Sequence, residues 1–232
     1  MRRRVFTLTG LAACVATPVR AATSPVVLEL FTSQGCSSCP PADALLGKLS
    51  QRPDVIALAW HVDYWNHLGW LDKFASKQAT ERQTAYARQL GDEVFTPALV
   101  IDGANVVVGS DRHAVEQAIQ AAKPLRVPAT FSRTADGIAV NIGASETPIR
   151  ALSILYEPEH TTDVGAGENG GARLREYRIV RQVDVLGEWD GTARQFALPP
   201  AGAGLGRVVM VQTADLRVVG AADQPVVSNQ SG

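Results

Sequence analysis

The chain places Cys36-Ser37-Ser38-Cys39 directly between an apolar run and the start of a helix, and this placement constrains it more than any other feature. Val26 to Phe31 reads as a buried strand, Thr32 to Gly35 as the turn that ends it, and Pro40-Pro41-Ala42-Asp43-Ala44-Leu45-Leu46 as a helix start. Two thiols three positions apart at such a junction can close a small disulfide ring. The unpaired N–H groups and positive dipole end of the helix favour a thiolate on the first cysteine. Cys36 is then expected to be the exposed nucleophile. Cys39, one helical turn further in, is expected to be the resolving thiol that attacks a mixed disulfide. Two other readings stand beside this one. A structural disulfide is weakened by the small ring, which removes little loop entropy. A metal site is the third.

Length and composition narrow the remaining classes. With 232 residues, 46% of them hydrophobic, the chain can bury the core of one large domain or two small ones. Its formal net charge of −1 gives no electrostatic reason to expect a nucleic-acid partner. No apolar stretch after the leader is long enough to span a membrane.

Residues 1–21 read as a signal peptide: Arg2-Arg3-Arg4, a short apolar stretch from Val5 to Val15, and a small-residue cleavage site at Val19-Arg20-Ala21. The mature chain is expected to start near Ala22 and to be periplasmic or secreted, where disulfides persist. Arg3-Arg4-Val5-Phe6 is similar to a twin-arginine signal. Leu11-Ala12-Ala13-Cys14 resembles a lipoprotein cleavage box, read here as a chance cysteine in an ordinary leader. Cleavage near Ala22 leaves only Cys36 and Cys39, an even pair.

From residue 22 to 123 strands and helices alternate. The strands are Val26 to Phe31, Val55 to Trp60, Ala98 to Ile101 and Asn105 to Val108. The helices run from about Pro41 to Leu49, Lys77 to Leu90 and Arg112 to Ala122. The order is β-α-β-α-β-β-α, a central mixed sheet with its first two strands parallel and its last two a hairpin. Composition changes at Pro124. Residues 124–232 carry short β-like runs, among them Ala151 to Tyr156 and Tyr177 to Leu186, with turn signals at Asp136-Gly137 and Asp190-Gly191. They are expected to form a small all-β sandwich-like domain. The glycine-rich stretch Gly165 to Gly171 is expected to be an exposed loop, and Ser228 to Gly232 a frayed tail.

The strand–C-x-x-C–helix unit and the Thr96-Pro97 before the hairpin resemble the thioredoxin superfamily core. Longer strings are similar to an exported thioredoxin-like family catalogued as a domain of unknown function, number twelve-twenty-three. They are Glu29 to Asp43, His61-Val62-Asp63-Tyr64-Trp65 with Leu68-Gly69-Trp70, Phe95-Thr96-Pro97, Gly167-Glu168-Asn169 and Gly187-Glu188-Trp189-Asp190-Gly191. The resemblance implies a fold more than an activity. It also implies a cis bond before Pro97, facing the cysteines, with the main chain of Thr96 free to pair with a bound peptide.

If the first two strands are parallel neighbours, His61 and Asp63 lie beside the cysteines at the sheet edge where reactive groups gather. His61 is expected to hold a charge or proton near Cys36, Asp63 to orient it, and Trp65 and Trp70 to line a substrate groove. Glu29, in an otherwise apolar strand, is a candidate proton acceptor for Cys39 if it is buried near the pair. His67, His113 and His160 read as surface loop residues, and Trp189 as a core or interface aromatic to which no chemistry is assigned. The leading functional expectation is an exported thiol–disulfide oxidoreductase acting on protein thiols and disulfides, recharged by an unidentified redox partner, with no cofactor. One alternative is metal binding or copper delivery by Cys36, Cys39 and His61, because thiolates are soft ligands. Another is a non-catalytic binding module stapled by its disulfide.

Overall fold

The computed structural model describes residues 24–135 and 137–226. The expected leader, with its cleavage site, twin-arginine motif and Cys14, lies outside the described residues, as do Asp136 and the tail from Ser228. Among the described residues no helix is long and apolar enough to cross a membrane.

The first half runs β1 (Val26–Thr32), α1 (Pro40–Leu49), β2 (Val55–His61), α2 (Lys77–Leu90), β3 (Ala98–Ile101), β4 (Asn105–Val108) and α3 (Arg112–Ala121). β1 pairs parallel with β2 and antiparallel with β3, and β3 pairs antiparallel with β4. Period-two alternation distributes the side chains of β1 and β2 between two cores. Leu28, Leu30, Ala57 and Ala59 pack with Leu45, Leu46 and Leu49 of α1 and with Val115 and Ile119 of α3. Val27, Phe31, Ile56, Leu58 and Trp60 pack on the other face with Ala79 and Tyr86 of α2. Local chemistry fixes the helix ends. The Ser76 side chain accepts the Ala79 N–H at the start of α2, and Asp111 accepts the Ala114 N–H at the start of α3. Gly91 ends α2 at φ 68°, a left-handed conformation that glycine adopts without penalty.

The second half departs from the expected sandwich. β7 (Ile149–Asp163) and β8 (Arg173–Trp189) form one long hairpin, followed by β10 (Gly206–Gln212) and β11 (Val218–Gln224). These four strands extend the first sheet, giving eight strands in the order β11-β10-β7-β8-β2-β1-β3-β4, with β8 beside β2 at Ala59↔Ile179. β5 (Ala129–Thr134), β6 (Gly137–Ile142) and β9 (Arg194–Leu198) make a second, three-stranded sheet. Val140, Ile142, Ala151, Trp189, Leu198, Val209 and Val211 fill a third core. The second half is therefore layered like a sandwich, but one layer belongs to the sheet of the first half.

The hairpin outruns its apolar segments because its distal part buries a mixed face, with Leu174, Glu176 and Arg178 of β8 buried in alternation and Thr162 of β7 buried opposite Leu174, while charged residues pair on the exposed face. Arg175 pairs with Glu159 at 2.7 Å and Arg181 with Glu157 at 2.6 Å across the strands. This polar ribbon carries the β7–β8 loop back to the end of β1 that bears the cysteines.

Candidate functional site

Cys36 and Cys39 form a disulfide with their Cα atoms 5.4 Å apart. Cys39 is the N-cap of α1, and its carbonyl accepts the N–H groups of Ala42 and Asp43. Both cysteines are fully buried, at 0% exposure. This corrects the expectation of an exposed Cys36. Ser37 and Ser38 between them are exposed, but neighbouring segments cover the sulfurs.

One of these segments carries Thr96 and Pro97, joined by a cis peptide bond. The Thr96 hydroxyl donates to Cys36 Sγ at 3.3 Å and accepts from Trp65 Nε1 at 2.9 Å. The indole N–H occupies the hydroxyl oxygen and leaves its proton directed at sulfur. A second hydroxyl, Ser38 Oγ, lies 3.4 Å from the same sulfur and 3.4 Å from the Thr96 carbonyl. Once the disulfide is reduced, these hydroxyls and the α1 N-terminus are the groups placed to stabilise a Cys36 thiolate.

His61 makes its hydrogen bond to a carboxylate rather than to either sulfur. Alternation along β2 turns it toward α1, where it is buried. Its Nδ1 meets Asp72 Oδ2 at 2.7 Å, and its Nε2 lies 3.8 Å from Glu176 Oε1, beyond hydrogen-bond reach. Asp72, not Asp63, orients the imidazole. The Asp63 carboxylate instead accepts the Thr80 hydroxyl at 2.5 Å, tying its loop to α2. The Gln34 N–H donates to Asp72, and the Gln34 amide donates to Glu176 at 2.9 Å and Thr162 at 3.0 Å. The buried Asp43 in the first turn of α1 completes the group.

Three carboxyls thus surround one imidazole below the C-x-x-C turn. Burial pushes Asp43 up to about 7; His61 opposes the rise, and Glu176 and Asp72 add to it. Burial alone would lower His61, but the adjacent Asp72 carboxylate outweighs it and holds the imidazole above its ordinary value. Burial works to raise Asp72, and His61 overrides it, so Asp72 lies below the usual carboxylate range. Burial raises Glu176. The arrangement can store and redistribute protons away from water.

Glu29 is buried at 1% exposure, but on the α2 face, across the sheet from α1. Arg82 grips both of its oxygens, at 2.6 and 2.9 Å, and the Tyr86 hydroxyl donates to it at 2.5 Å. It is a structural ion pair, which corrects the expectation of a proton acceptor for Cys39.

Trp70 stands at the rim with its Nε1 donating to Gln34 Oε1 at 2.9 Å. The β7–β8 loop closes the other side through Glu168 and Asn169. His67 is an exposed residue of a short 3-10 turn. His113 is exposed on α3 rather than in a loop, and His160 is half-buried on β7, bonded to Glu157. Trp189 packs in the third core against Phe196. Among the described residues no three His, Cys, Asp or Glu side chains are arranged to hold a metal ion.

The sequence alone does not reveal Asp72, Glu176, Gln34 or the gripping role of Glu168 and Asn169. Asp43 carries a usable signal, since it follows Cys39 by one helical turn and so shares its buried face. Nothing in a single sequence joins Glu176 to His61 across the length of chain between them.

A mixed α/β chain with a large central sheet, a smaller antiparallel sheet and one C-x-x-C disulfide at a strand-to-helix turn is the class that fold and site define. The chain belongs to the family described as Protein of unknown function (DUF1223), which it matches over residues 27–212. It is similar to a crystal structure of a protein from Agrobacterium tumefaciens, a structural-genomics target. That likeness has 35% identity, covers 90% of this chain and 98% of that one, and has a TM-score of 0.78. HBP35 of Porphyromonas gingivalis is similar at 13% identity, covering 90% of this chain and 79% of that one with a TM-score of 0.59, a likeness of fold alone. No curated protein matches the chain.

Proposed function

We propose that the protein is an exported thiol–disulfide oxidoreductase of thioredoxin-like architecture, acting on protein thiols through Cys36 and Cys39. The observation that carries this reading is the Trp65–Thr96–Cys36 hydrogen-bond chain beside the disulfide at the start of α1. It supplies an oriented donor to the sulfur that a nucleophilic role requires in its thiolate form. In the reduced protein the Cys36 thiolate attacks one sulfur of a substrate disulfide. The other substrate sulfur leaves as thiolate, and a mixed disulfide forms. The Cys39 thiolate then attacks Cys36 Sγ, re-forms the Cys36–Cys39 bond and releases the second substrate sulfur. Two electrons pass to the substrate, and an external dithiol restores the protein; the reverse sequence oxidises a substrate dithiol. The Thr96 main chain, Trp65 and Trp70 would form the rim that receives the substrate.

One observation favours a second reading, a disulfide that only staples the turn: both sulfurs are fully buried. The two readings part on exchange in the folded state. The full chain is equilibrated with glutathione redox buffers without denaturant, and electron transfer to insulin disulfides is then followed with dithiothreitol as donor. A defined potential and insulin reduction lost in Cys36→Ser support the oxidoreductase. A pair that exchanges only after unfolding supports the staple and overturns the proposal.

A further inference from the structure

The β7–β8 loop touches the cysteine turn on both sides of Cys36. The Glu168 carboxylate accepts from the Ser37 N–H at 3.2 Å and from the Ser37 hydroxyl at 2.7 Å. The Asn169 amide donates to the carbonyls of Gln34 and Cys36, both at 2.9 Å. Two adjacent side chains therefore hold the backbone from residue 34 to 37.

The loop is built to sit there. It is closed by its own main-chain bonds, Gly171 N–H to the Val164 carbonyl at 2.8 Å and Val164 N–H to the Ala172 carbonyl at 2.9 Å. It lies flat on Trp70, where a Cβ at Gly167 would stand 3.1 Å from Trp70 Cβ and one at Gly165 would stand 3.2 Å from the ring. Gly167 also has φ +73°, so any side chain there would lift the loop and strain its backbone. Trp70 in turn bonds Gln34, so the loop, the indole and the cysteine turn form one clasp. The outer surface of the loop is exposed from Gly165 to Glu168 and carries no large apolar side chain. Nothing bulky pins it from outside, and the bonds that close it onto the turn are few.

We propose that this loop is the access-controlling and specificity-determining element of the disulfide. Glu168 and Asn169 hold the cysteine turn closed, and a thiol or disulfide reaches Cys36 only when it displaces them. The assignment rests on the redox reading of Cys36 and Cys39. It explains how a pair at 0% exposure can belong to an exchange site, and it gives the Gly167-Glu168-Asn169 string a role. Reactants whose own backbone can replace the Asn169 and Glu168 bonds to the turn, such as extended peptide segments, are favoured over compact thiols. The partner chemistry is therefore an extended cysteine-bearing polypeptide.

The test compares the oxidised full chain with Glu168→Ala, Glu168→Gln and the Glu168→Ala/Asn169→Ala double variant. Reduction of Cys36–Cys39 by dithiothreitol is followed by alkylation and mass, in parallel with thermal unfolding. The side chain of Glu168 is exposed, so Glu168→Ala is expected to fold. Loss of the two exposed Glu168 bonds and the two half-buried Asn169 bonds should raise the reduction rate roughly tenfold in the double variant and less in Glu168→Ala, with Glu168→Gln near wild type. Equal rates across all four proteins at equal stability overturn the gate, and so does slower reduction in the double variant. A second arm uses an unstructured cysteine peptide in place of dithiothreitol. The variants should lose the wild-type preference for the peptide, and a preference unchanged in the double variant removes the specificity assignment. Failure of the oxidoreductase reading is visible separately: no variant, gated or open, would pass electrons to insulin, whatever the dithiothreitol rates.

Discussion

Two groups of buried carboxylates flank the same strand pair and are held in opposite ways. On the α2 face Glu29 meets the Arg82 guanidinium, whose carbon also lies 4.9 Å from the Trp60 ring and 5.0 Å from that of Tyr86. On the α1 face Asp43, Asp72 and Glu176 share one imidazole, His61. The first group is closed, with one anion, one guanidinium and a phenol donor in fixed geometry. The second has more acid than base and one carboxyl raised to about 7. Burial of a carboxylate therefore does not by itself mark chemistry; what counts is whether a permanent cation neutralises it. Arginine does so at every relevant pH, whereas histidine titrates.

The largest effect that separates the two groups should come from Glu29. Its replacement by Ala leaves the Arg82 guanidinium, 12% exposed, without its carboxylate. Removing one partner of a buried pair costs about 3–5 kcal/mol. Urea unfolding should show that loss, while the dithiothreitol reduction rate and the potential of the disulfide stay near wild type. A Glu29→Ala protein of normal stability but altered potential would erase the distinction between the two faces.

The second test concerns Asp43. Its folded value of about 7 exceeds the ordinary 3.8, so between these pH values the folded state holds a proton that the unfolded chain has lost. Stability must fall as pH rises through that window and level off above it. His61, whose folded value is also raised, adds stability at low pH that is lost as pH rises through that value. Asp72 acts the other way, losing its contribution as pH falls through its depressed value. Glu176, raised by burial, acts in the same direction as Asp43. Asp43→Asn removes the Asp43 contribution and weakens that of His61, because the Asp43 carboxylate helps to raise the imidazole. Between about pH 4 and pH 8 the wild type should lose up to about 4 kcal/mol relative to Asp43→Asn, because each pH unit separating the folded and unfolded values is worth about 1.4 kcal/mol. Urea unfolding at a series of pH values measures it. Parallel curves for the two proteins would make the acid cluster as inert as the Glu29 pair.

The same contrast shows what a single sequence reveals. The first half is legible because each element has local signals: apolar runs from Val26 and Val55, the Ser76 and Asp111 caps, and Gly91 at the end of α2. The C-x-x-C is legible because strand, turn and helix are contiguous. The partner of His61 is not. Asp63 is nearer in sequence, but a two-residue spacing on an emerging strand does not fix which way the loop turns, and the chain brings Asp72 back instead. Glu29 looks chemical because a carboxylate in an apolar strand is conspicuous. Its partner Arg82 sits on a helix whose rotation only tertiary packing sets. The β7–β8 hairpin extends beyond its apolar runs because the buried face of its outer half carries the polar Glu176 and Arg178 beside Leu174, so burial alternates there without an apolar alternation in the sequence. Without a periodic signal for that half, the loop bearing Glu168 and Asn169 has no visible reason to reach the cysteines.

The smallest effect, and the one most specific to the sulfur, belongs to Thr96. If the acid cluster governs proton supply while the hydroxyls govern the thiolate, then Thr96 and His61 should separate cleanly. Thr96→Val keeps the shape of the side chain and removes the proton that Trp65 leaves pointing at Cys36 Sγ. A hydrogen bond to a charged acceptor is worth about 1.5–3 kcal/mol, so the thiolate of reduced Cys36 should form at higher pH in the variant. Stabilising the thiolate stabilises the reduced protein. Its loss should therefore lower the potential by roughly 30–60 mV, since about 30 mV corresponds to 1.4 kcal/mol for this two-electron couple. Thr96→Ser should restore most of both values, which a mere packing defect would not. His61→Gln, which alters the cluster and leaves Thr96 in place, should move the thiolate titration much less than Thr96→Val does. Ultraviolet absorbance of the thiolate across pH, with the glutathione equilibrium of each variant, measures both quantities. A titration that shifts more in His61→Gln than in Thr96→Val would mean that the imidazole charge reaches Cys36 through the protein interior, and that the cluster and the sulfur are one electrostatic unit rather than two.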